Sequence, residues 1–311
     1  MNCIEELLKK YPFIVLDGAF ATELEARDFD IKDALWSAKA LIERPDLVKE
    51  VHLDYLRAGA DVVESASYQA TVEGFLRIGL SREQAVNLIQ LSVKLANEAR
   101  EEFLQEAGEL KNRPRPLVAA SVGPYGAFLA DGSEYRGEYG LDETALVDFH
   151  AERMKMMVEA GADLLAIETL PCLVEAQAAV RAVREQKLSV PMWVSFSCKD
   201  EKHISDGTEI AACAAWLEQA PEVAAIGLNC TAPQYVSSLI KEIKAHTQKP
   251  VVVYPNSGET YDATTKTWHG ASVSFSERAE EWYAAGARLI GGCCRTTPQD
   301  IRAIADMRNR K

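Results

Sequence analysis

The chain has 311 residues, of which 48% are hydrophobic and 26% are charged. This balance is typical of a globular protein with a large core, and it excludes disordered, collagen-like and disulfide-stapled classes. The formal net charge of −13 disfavours nucleic acid and anionic membranes as partners. Because there is no apolar stretch of about 18 residues and the acidic start lacks a signal-peptide pattern, we predict a cytoplasmic protein without a membrane span.

Eight short runs rich in β-branched residues recur along the chain, and each ends in polar or small residues, as buried parallel strands do. They cover residues 13–17, 60–65, 117–121, 164–168, 192–197, 224–229, 251–254 and 288–292. Segments with helical periodicity lie between them, among them residues 45–58 and 83–105. This alternation favours an α/β fold, a single (β/α)8 TIM barrel.

A weak internal repeat supports the barrel. Gly59, Gly161 and Gly286 each stand between a helical segment and a strand, where glycine adopts the left-handed conformation without a Cβ penalty. The alternative is an open doubly wound sheet, but such sheets carry a Gly-rich fingerprint after the first strand. Here Asp17-Gly18-Ala19 has one glycine. Since no linker rich in Pro, Gly or Ser divides the chain, we predict one domain over residues 1–311.

Three of the seven cysteines follow the sixth and eighth predicted strands. Cys230 follows the sixth strand, and Cys293 and Cys294 follow the eighth. Function in a barrel resides at the carboxyl ends of the strands, and three thiolates with one open position there suit Zn²⁺. The alternative is that cysteine acts as a small buried hydrophobe, as we expect for the other four. These are Cys3, Cys172, Cys198 and Cys213.

Polar residues at other strand ends suit a zwitterionic amino acid. Asp17 and Glu168 offer carboxylates for an ammonium group, and Asn256 offers an amide. The backbone amides of Gly18 and Ala19 are candidates to hold a carboxylate at the start of the first helix. As alternatives, Asp17 caps that helix and Glu168 forms a structural salt bridge.

The segment after the third strand, residues 123–140, is long, glycine-rich and aromatic, which is typical of functional loops. Tyr125, Asp131, Glu134 and Tyr135 are candidates to enclose a sulfonium or quaternary ammonium by cation–π contacts and charge attraction. The alternative is a lid that only packs on the barrel mouth.

The five histidines offer no metal-ligand spacing. His52 and His150 lie on predicted helices, and we interpret both as structural. The chain also lacks a Gly-x-Ser-x-Gly elbow and a basic aromatic stripe, which disfavours a serine hydrolase or a nucleic-acid-binding protein.

Seven motifs around these positions resemble the homocysteine S-methyltransferases. They are Leu16-Asp17-Gly18-Ala19, Ser65-Ala66-Ser67-Tyr68-Gln69, Ser121-Val122-Gly123-Pro124-Tyr125-Gly126, Glu168-Thr169, Gly227-Leu228-Asn229-Cys230, Tyr254-Pro255-Asn256-Ser257-Gly258-Glu259 and Gly291-Gly292-Cys293-Cys294-Arg295. Residues 35–38 and 131–137 also match, and these are similar to the bacterial and plant enzymes that use S-methylmethionine.

The resemblance implies that Cys230, Cys293 and Cys294 bind zinc and that Asp17 and Glu168 hold the homocysteine amine. Tyr68 matches a position that supplies a fourth zinc ligand in the empty site of a relative. The implied enzyme is a zinc-dependent methyltransferase that moves a methyl group from a sulfonium donor, S-methylmethionine or S-adenosylmethionine, to the zinc-bound thiolate of homocysteine. The product is methionine.

Two alternatives stay open. The first keeps the barrel and the metal but uses a betaine-type donor. The second is a non-enzymatic module in which the zinc is structural or the vicinal thiols serve redox chemistry or metal sensing. Structural zinc sites are closed by four protein ligands, so an exchangeable fourth position would exclude a structural role. The sequence does not predict the oligomeric state.

Overall fold

The computed structural model describes residues 2–30, 36–262, 267–269 and 273–311, so Leu35 of one matching motif lies outside the described residues. The strands are β1 (Ile14–Val15), β2 (Val62–Glu64), β3 (Leu117–Val122), β4 (Leu164–Leu170), β5 (Met192–Phe196), β6 (Val223–Asn229), β7 (Val251–Tyr254), β8 (Thr260–Asp262), β9 (Thr267–His269) and β10 (Ala287–Ile290). The α-helices are α1 (Cys3–Leu8), α2 (Phe20–Glu25), α3 (Ala40–Glu43), α4 (Pro45–Ala58), α5 (Val72–Arg77), α6 (Arg82–Ala107), α7 (Tyr125–Leu129), α8 (Glu143–Glu159), α9 (Leu173–Glu185), α10 (Ile210–Glu218), α11 (Val236–Lys244), α12 (Phe275–Ala285) and α13 (Pro298–Asn309). Short 3-10 helices cover Trp36–Lys39 and Ser133–Tyr135.

Eight of the strands form the predicted (β/α)8 barrel. Their spatial order is β1, β10, β7, β6, β5, β4, β3 and β2, and all the pairings in this order are parallel. A parallel bridge between Leu16 and Val62 brings the two ends of the sheet together. Strands β8 and β9 form a separate antiparallel pair. All eight predicted strands are confirmed, although β1 spans two residues instead of five.

The glycines of the internal repeat end helices as predicted. Gly59, Gly161 and Gly286 have φ angles of 114°, 99° and 123°, in the region that disfavours a side chain. Helix α4 occupies the predicted residues 45–58, and it begins at Pro45, whose missing N–H would have no partner at that helical position. Local backbone chemistry therefore sets the alternation of helix and strand.

Apolar side chains fill both the inside of the barrel and the layer between strands and helices. The inner cluster includes Leu16, Trp193 and Leu289, all fully buried. Ile4 of α1 joins this cluster, and Cys3 borders Pro191, which directly precedes β5. Helix α1 therefore covers the amino-terminal end of the barrel, opposite the predicted site. Among the described helices, none combines the length and the apolar character that crossing a bilayer requires.

A buried ion pair fastens the last helix to the same end of the barrel. Asp61, directly before β2, accepts a hydrogen bond from the Val15 amide at 2.9 Å and another from the guanidinium of Arg308 in α13. Both charged side chains are buried. Removal of either partner would leave an uncompensated buried charge, so this pair is required for stability.

His52 of α4 is fully buried, and neither ring nitrogen has a hydrogen-bond partner among the described residues. Burial lowers its pKa from 6.5 to about 3, whereas the unfolded chain takes up this proton near pH 6.5. Stability is therefore lost as the pH falls from 6.5 toward 3. We compare the unfolding free energy of the His52→Leu variant with that of the wild type. We expect the difference, variant minus wild type, to be about 2 kcal/mol larger at pH 5 than at pH 7.5, because only the wild type loses stability through His52. Urea unfolding at both pH values measures this gain, and an unchanged difference would contradict the prediction.

Candidate metal and substrate site

The three predicted thiols converge at the carboxyl ends of the strands. Cys230 follows β6, whereas Cys293 and Cys294 follow β10, and the two strands lie on either side of β7. The Sγ atom of Cys230 lies 2.7 Å from that of Cys293 and 3.8 Å from that of Cys294. The Sγ atoms of Cys293 and Cys294 are 4.0 Å apart. Among the described residues, these three thiols form the one group of at least three His, Cys, Asp or Glu side chains that could bind a single metal ion.

The backbone around the thiols is specialised for this convergence. Cys230 has a φ angle of +46°, which is uncommon outside glycine and brings its thiol to the end of β6. Gly291 lies two residues before Cys293. A Cβ atom at Gly291 would lie 2.6 Å from the Leu16 Cβ and 2.7 Å from the Asp17 carbonyl oxygen. Glycine is therefore required at position 291, because β10 approaches β1 too closely for any side chain.

The donor set suits a soft, thiophilic metal. Two sulfur ligands of a tetrahedral zinc ion lie roughly 3.8 Å apart, given Zn–S bonds of about 2.3 Å. Two of the three sulfur distances, 3.8 and 4.0 Å, match that edge, and the third is shorter. Hydrogen bonds from Cys230 and Cys293 lower the pKa of the Cys294 thiol well below its usual value. A metal that binds the three thiols displaces their protons.

Three carboxyl groups lie next to the thiols. Asp17 directly follows the bridge residue Leu16, Glu64 ends β2, and Glu168 lies within β4. The Oδ2 atom of Asp17 accepts a hydrogen bond from the Glu64 amide at 2.8 Å. Ser121 Oγ donates a hydrogen bond to Glu168, and the charge of Glu168 acts on Glu64. The ion pairs seen in the described part of the chain include none of these three groups.

Burial disfavours the charged form of all three carboxyl groups in this cluster. Burial raises the pKa of Asp17 and Glu64 well above the usual range, and it raises the pKa of Glu168 to about 7. The Oε1 atom of Glu64 is buried without a hydrogen-bond partner in the described residues. A bound cation would relieve both the repulsion and the missing hydrogen bond. The alternative of a structural salt bridge at Glu168 finds no support.

Glu64 is the functional candidate that our sequence analysis missed. The predicted strand was extended to Ser65, so Glu64 counted as part of the strand interior. In the structure β2 ends at Glu64. The rule that strand-end residues carry function would have found it if the strand had been ended one residue earlier.

A polar network inside the barrel holds the strand end that carries Glu168. Asn229 Oδ1 accepts hydrogen bonds from the Thr169 amide at 2.7 Å and from Ser195 Oγ at 2.9 Å. Asn229 Nδ2 donates to Thr169 Oγ1 at 2.7 Å. Thr169 has a φ angle of +58°, and these three bonds stabilise that strained backbone. Glu168 therefore sits on a rigid support.

The other predicted substrate-binding groups, Tyr68, Asn256 and the amides of Gly18 and Ala19, differ in their surroundings. Burial together with the charge of Cys230 raises the pKa of Tyr68, so Tyr68 borders the thiols. Asn256 has a buried Oδ1 atom without a partner in the described residues. The amide of Ala19 is not available, because it donates to Thr296 Oγ1 at 3.1 Å, which corrects our expectation for that residue. A substrate contact at the Gly18 amide stays a prediction.

The segment between β3 and α8 separates the four donor candidates. Glu134 is buried with its Oε2 atom unpartnered in the described residues, and its charge raises the pKa of Tyr68. Tyr135 is 46% exposed, but the nearby Cys230 thiol raises its pKa. Asp131 is exposed and accepts a hydrogen bond from the Ser133 amide at 2.9 Å within its own turn. The Tyr125 ring packs against aromatic neighbours, as close as 4.9 Å between ring centroids. Tyr135 therefore borders the thiols and Glu134 lies near Tyr68, whereas the donor roles of all four residues stay predictions.

Comparisons with known proteins agree with this geometry. The family model for homocysteine S-methyltransferase matches residues 14–308. Homocysteine S-methyltransferase YbgG of Bacillus subtilis (strain 168) is 56% identical over 307 residues, covering 98% of this chain and 97% of that one. Homocysteine S-methyltransferase 1 of Zea mays is 51% identical over 315 residues, covering 98% and 97%.

A solved structure extends the comparison to three dimensions. The metallated form of the homocysteine methyltransferase MmuM from Escherichia coli has a TM-score of 0.88 and 46% sequence identity. The match covers 98% of this chain and 99% of that chain. The chain therefore belongs to the homocysteine S-methyltransferase family of methyltransferase enzymes.

Proposed function

We propose that this chain is a zinc-dependent homocysteine S-methyltransferase that takes the methyl group of S-methylmethionine. The observation that carries the proposal is the meeting of three thiols with the buried carboxyl groups of Asp17 and Glu168 and the partly buried Glu64 at one end of the barrel. Thiols suit a metal that binds the acceptor sulfur, and carboxylates suit the ammonium of an amino acid.

Cys230, Cys293 and Cys294 would hold the zinc ion and leave one position for the acceptor. Bound zinc would lower the pKa of the homocysteine thiol from about 8.5 and so keep its sulfur a thiolate at neutral pH. Tyr68, which borders the thiols, is the protein group placed to approach the fourth position when homocysteine is absent.

The carboxyl cluster would bind the homocysteine ammonium. An ammonium group has three N–H donors, and Asp17, Glu64 and Glu168 offer one carboxyl each. The ion pairs in the described part of the chain include none of the three, so the ammonium would be their counter-ion. Asn256 and the Gly18 amide are left for the substrate carboxylate.

The methyl donor would lie between the thiols and the segment that carries Glu134 and Tyr135. A sulfonium is positive, so it compensates the buried Glu134 carboxylate and faces the Tyr135 ring. The homocysteine sulfur attacks the methyl carbon, the new S–C bond forms as the donor S–C bond breaks, and the electron pair leaves with the donor sulfur as a neutral thioether. The protein contributes alignment and exclusion of water.

Methionine formation tests this function. The purified, reduced and zinc-loaded protein is given homocysteine and, in separate reactions, S-methylmethionine, S-adenosylmethionine or betaine with trideuterated methyl groups. We expect trideuterated methionine to form fastest with S-methylmethionine. Faster transfer from S-adenosylmethionine or betaine would contradict the donor assignment. Absence of product with all three donors, despite bound zinc, would favour a thiol-based sensing or structural module.

Glu134 provides a test of the donor site. The Glu134→Gln variant keeps the shape of the side chain but loses its charge. We expect the KM for S-methylmethionine to rise about tenfold, since a hydrogen bond or contact to a charged group contributes about 1.5–3 kcal/mol. The KM for homocysteine stays within about twofold. Glu138→Gln, an exposed change in the same segment, is the matched control. Equal changes in both KM values would refute the assignment.

A further inference from the structure

Three charged or polar side chains are buried together beneath the segment that carries Glu134. His150 and Arg153 lie on α8, Glu175 lies on α9, and their exposed fractions are 0%, 2% and 0%. His150 Nε2 lies 2.9 Å from Glu175 Oε1, and His150 Nδ1 lies 3.1 Å from Arg153 Nη2. We call this group the Glu175 network. It has no contact with the thiols or the carboxyl cluster among the bonds described.

The Glu175 network binds the backbone at the start of the segment between β3 and α8, which we call the mouth segment. Glu175 Oε1 accepts a hydrogen bond from the amide of Tyr125, the first residue of α7, at 2.6 Å. Arg153 donates to the carbonyl oxygen of Gly123. The amide of Gly123 in turn donates to the carbonyl oxygen of Tyr68 at 3.2 Å. One network thus fixes both the entry to α7 and the backbone that carries Tyr68.

The position of α7 determines the position of Glu134. A Cβ atom at Gly126 would lie 2.3 Å from the Glu134 amide nitrogen, so α7 and the 3-10 helix are in direct backbone contact. Gln69 Nε2 also donates to the Ala127 carbonyl oxygen at 2.9 Å. Any displacement at the start of α7 is therefore transmitted to Glu134 and to the stretch after β2.

Stability alone does not account for the Glu175 network. Arg153 Nε and Nη1 and Glu175 Oε2 are buried without partners in the described part of the chain. Well-packed apolar side chains often stabilise a protein at least as much as a buried ion pair does. What apolar side chains cannot do is hold two specific backbone groups, an N–H and a carbonyl, in fixed places.

We propose that Glu175 is a positioning residue for the methyl-donor half of the site. Its carboxylate holds the first turn of α7, and through that turn it sets Glu134 beside Tyr68, which borders the thiols. This inference rests on the proposed donor site. It assigns a role in donor binding to a residue that lies behind the barrel mouth and touches neither substrate.

Steady-state kinetics with four variants test the inference. The Glu175→Ala change removes the acceptor for the Tyr125 amide, Glu175→Asp withdraws it by one methylene, and Glu175→Gln retains it. Asp61→Asn, in the buried ion pair at the opposite end of the barrel, is the control for loss of stability. The measurements are the KM for S-methylmethionine at saturating homocysteine, the KM for homocysteine, the zinc content and the Tm.

We expect Glu175→Ala and Glu175→Asp to raise the donor KM about tenfold while zinc content and homocysteine KM stay within about twofold. Glu175→Gln restores most of the donor affinity. Asp61→Asn lowers the Tm with neither KM changed.

The inference is overturned if the Glu175 variants leave the donor KM unchanged, or if they change both KM values equally as a general loss of structure would. Should Glu175→Ala not fold, Glu175→Asp decides the question, because it keeps the charge beside Arg153. Failure of the proposed function is distinct, since the wild-type protein would then make no methionine from S-methylmethionine.

Discussion

Replacing Cys293 with alanine is expected to abolish metal retention and to lower methionine formation by at least roughly 1000-fold. Two thiols remain in the Cys293→Ala variant, which is one fewer than the three protein ligands that catalytic zinc sites use. Loss of even an outer-shell partner of a zinc ligand costs about 10–100-fold, so loss of a ligand costs more. The site would no longer keep the acceptor sulfur deprotonated at neutral pH.

Metal analysis after dialysis and a methionine assay on the same sample measure both effects. Cys213→Ala is the matched control, because Cys213 is buried in α10 and belongs to no metal-ligand group among the described residues. A Cys293→Ala protein without zinc that transfers methyl groups at the wild-type rate would refute the mechanism.

A second large effect is expected at Glu168. In Glu168→Gln the side chain still accepts the hydrogen bond from Ser121, but the charge that faces the substrate ammonium is lost. Truncating one partner of a buried charge pair costs about 3–5 kcal/mol, which corresponds to roughly 150- to 5000-fold in kcat/KM for homocysteine. Glu64→Gln is expected to follow the same pattern with a smaller, about tenfold loss, because Glu64 is less buried than Glu168 and its charge is better screened.

The acceptor 4-mercaptobutyrate separates recognition from a general defect. It has the chain and carboxylate of homocysteine but no ammonium, so kcat/KM with this thiol is expected to stay within about threefold of wild type in both variants. Glu218→Gln, a half-buried change on α10 that lies outside the site, is the control. If kcat/KM falls equally with homocysteine and with 4-mercaptobutyrate, Glu64 and Glu168 do not bind the ammonium group.

The barrel was predictable because its signals are local. Gly59, Gly161 and Gly286 mark helix ends through their own backbone conformation, and the strand runs need no knowledge of their neighbours. The thiol cluster was predictable as well, because the parallel order of a barrel brings the residues after the sixth and eighth strands to one rim. The single-domain organisation and the cytoplasmic location stay predictions.

Pairwise contacts between distant residues were not predictable. Whether the Ala19 amide is free depends on Thr296, which is 277 positions away in the chain. His150 was interpreted as structural from its helix alone, and its link to the mouth segment depends on Glu175, which packs against it from another helix. Asp131, Tyr125 and Glu134 belong to one segment whose acidic and aromatic residues suit a cation site. Only the fold of the segment shows that Asp131 is exposed and that the Tyr125 ring packs against other aromatic rings.

The distribution of the thiols along the chain has a consequence for biosynthesis. Cys230 follows β6, but Cys293 and Cys294 follow β10, which is the last strand and lies between β1 and β7 in the sheet. A ribosome-bound chain therefore lacks a three-thiol site until its final strand has been made and inserted between two strands formed earlier. Metal capture would then be a late event that reports a finished barrel, and truncated or misfolded chains would compete poorly for the metal.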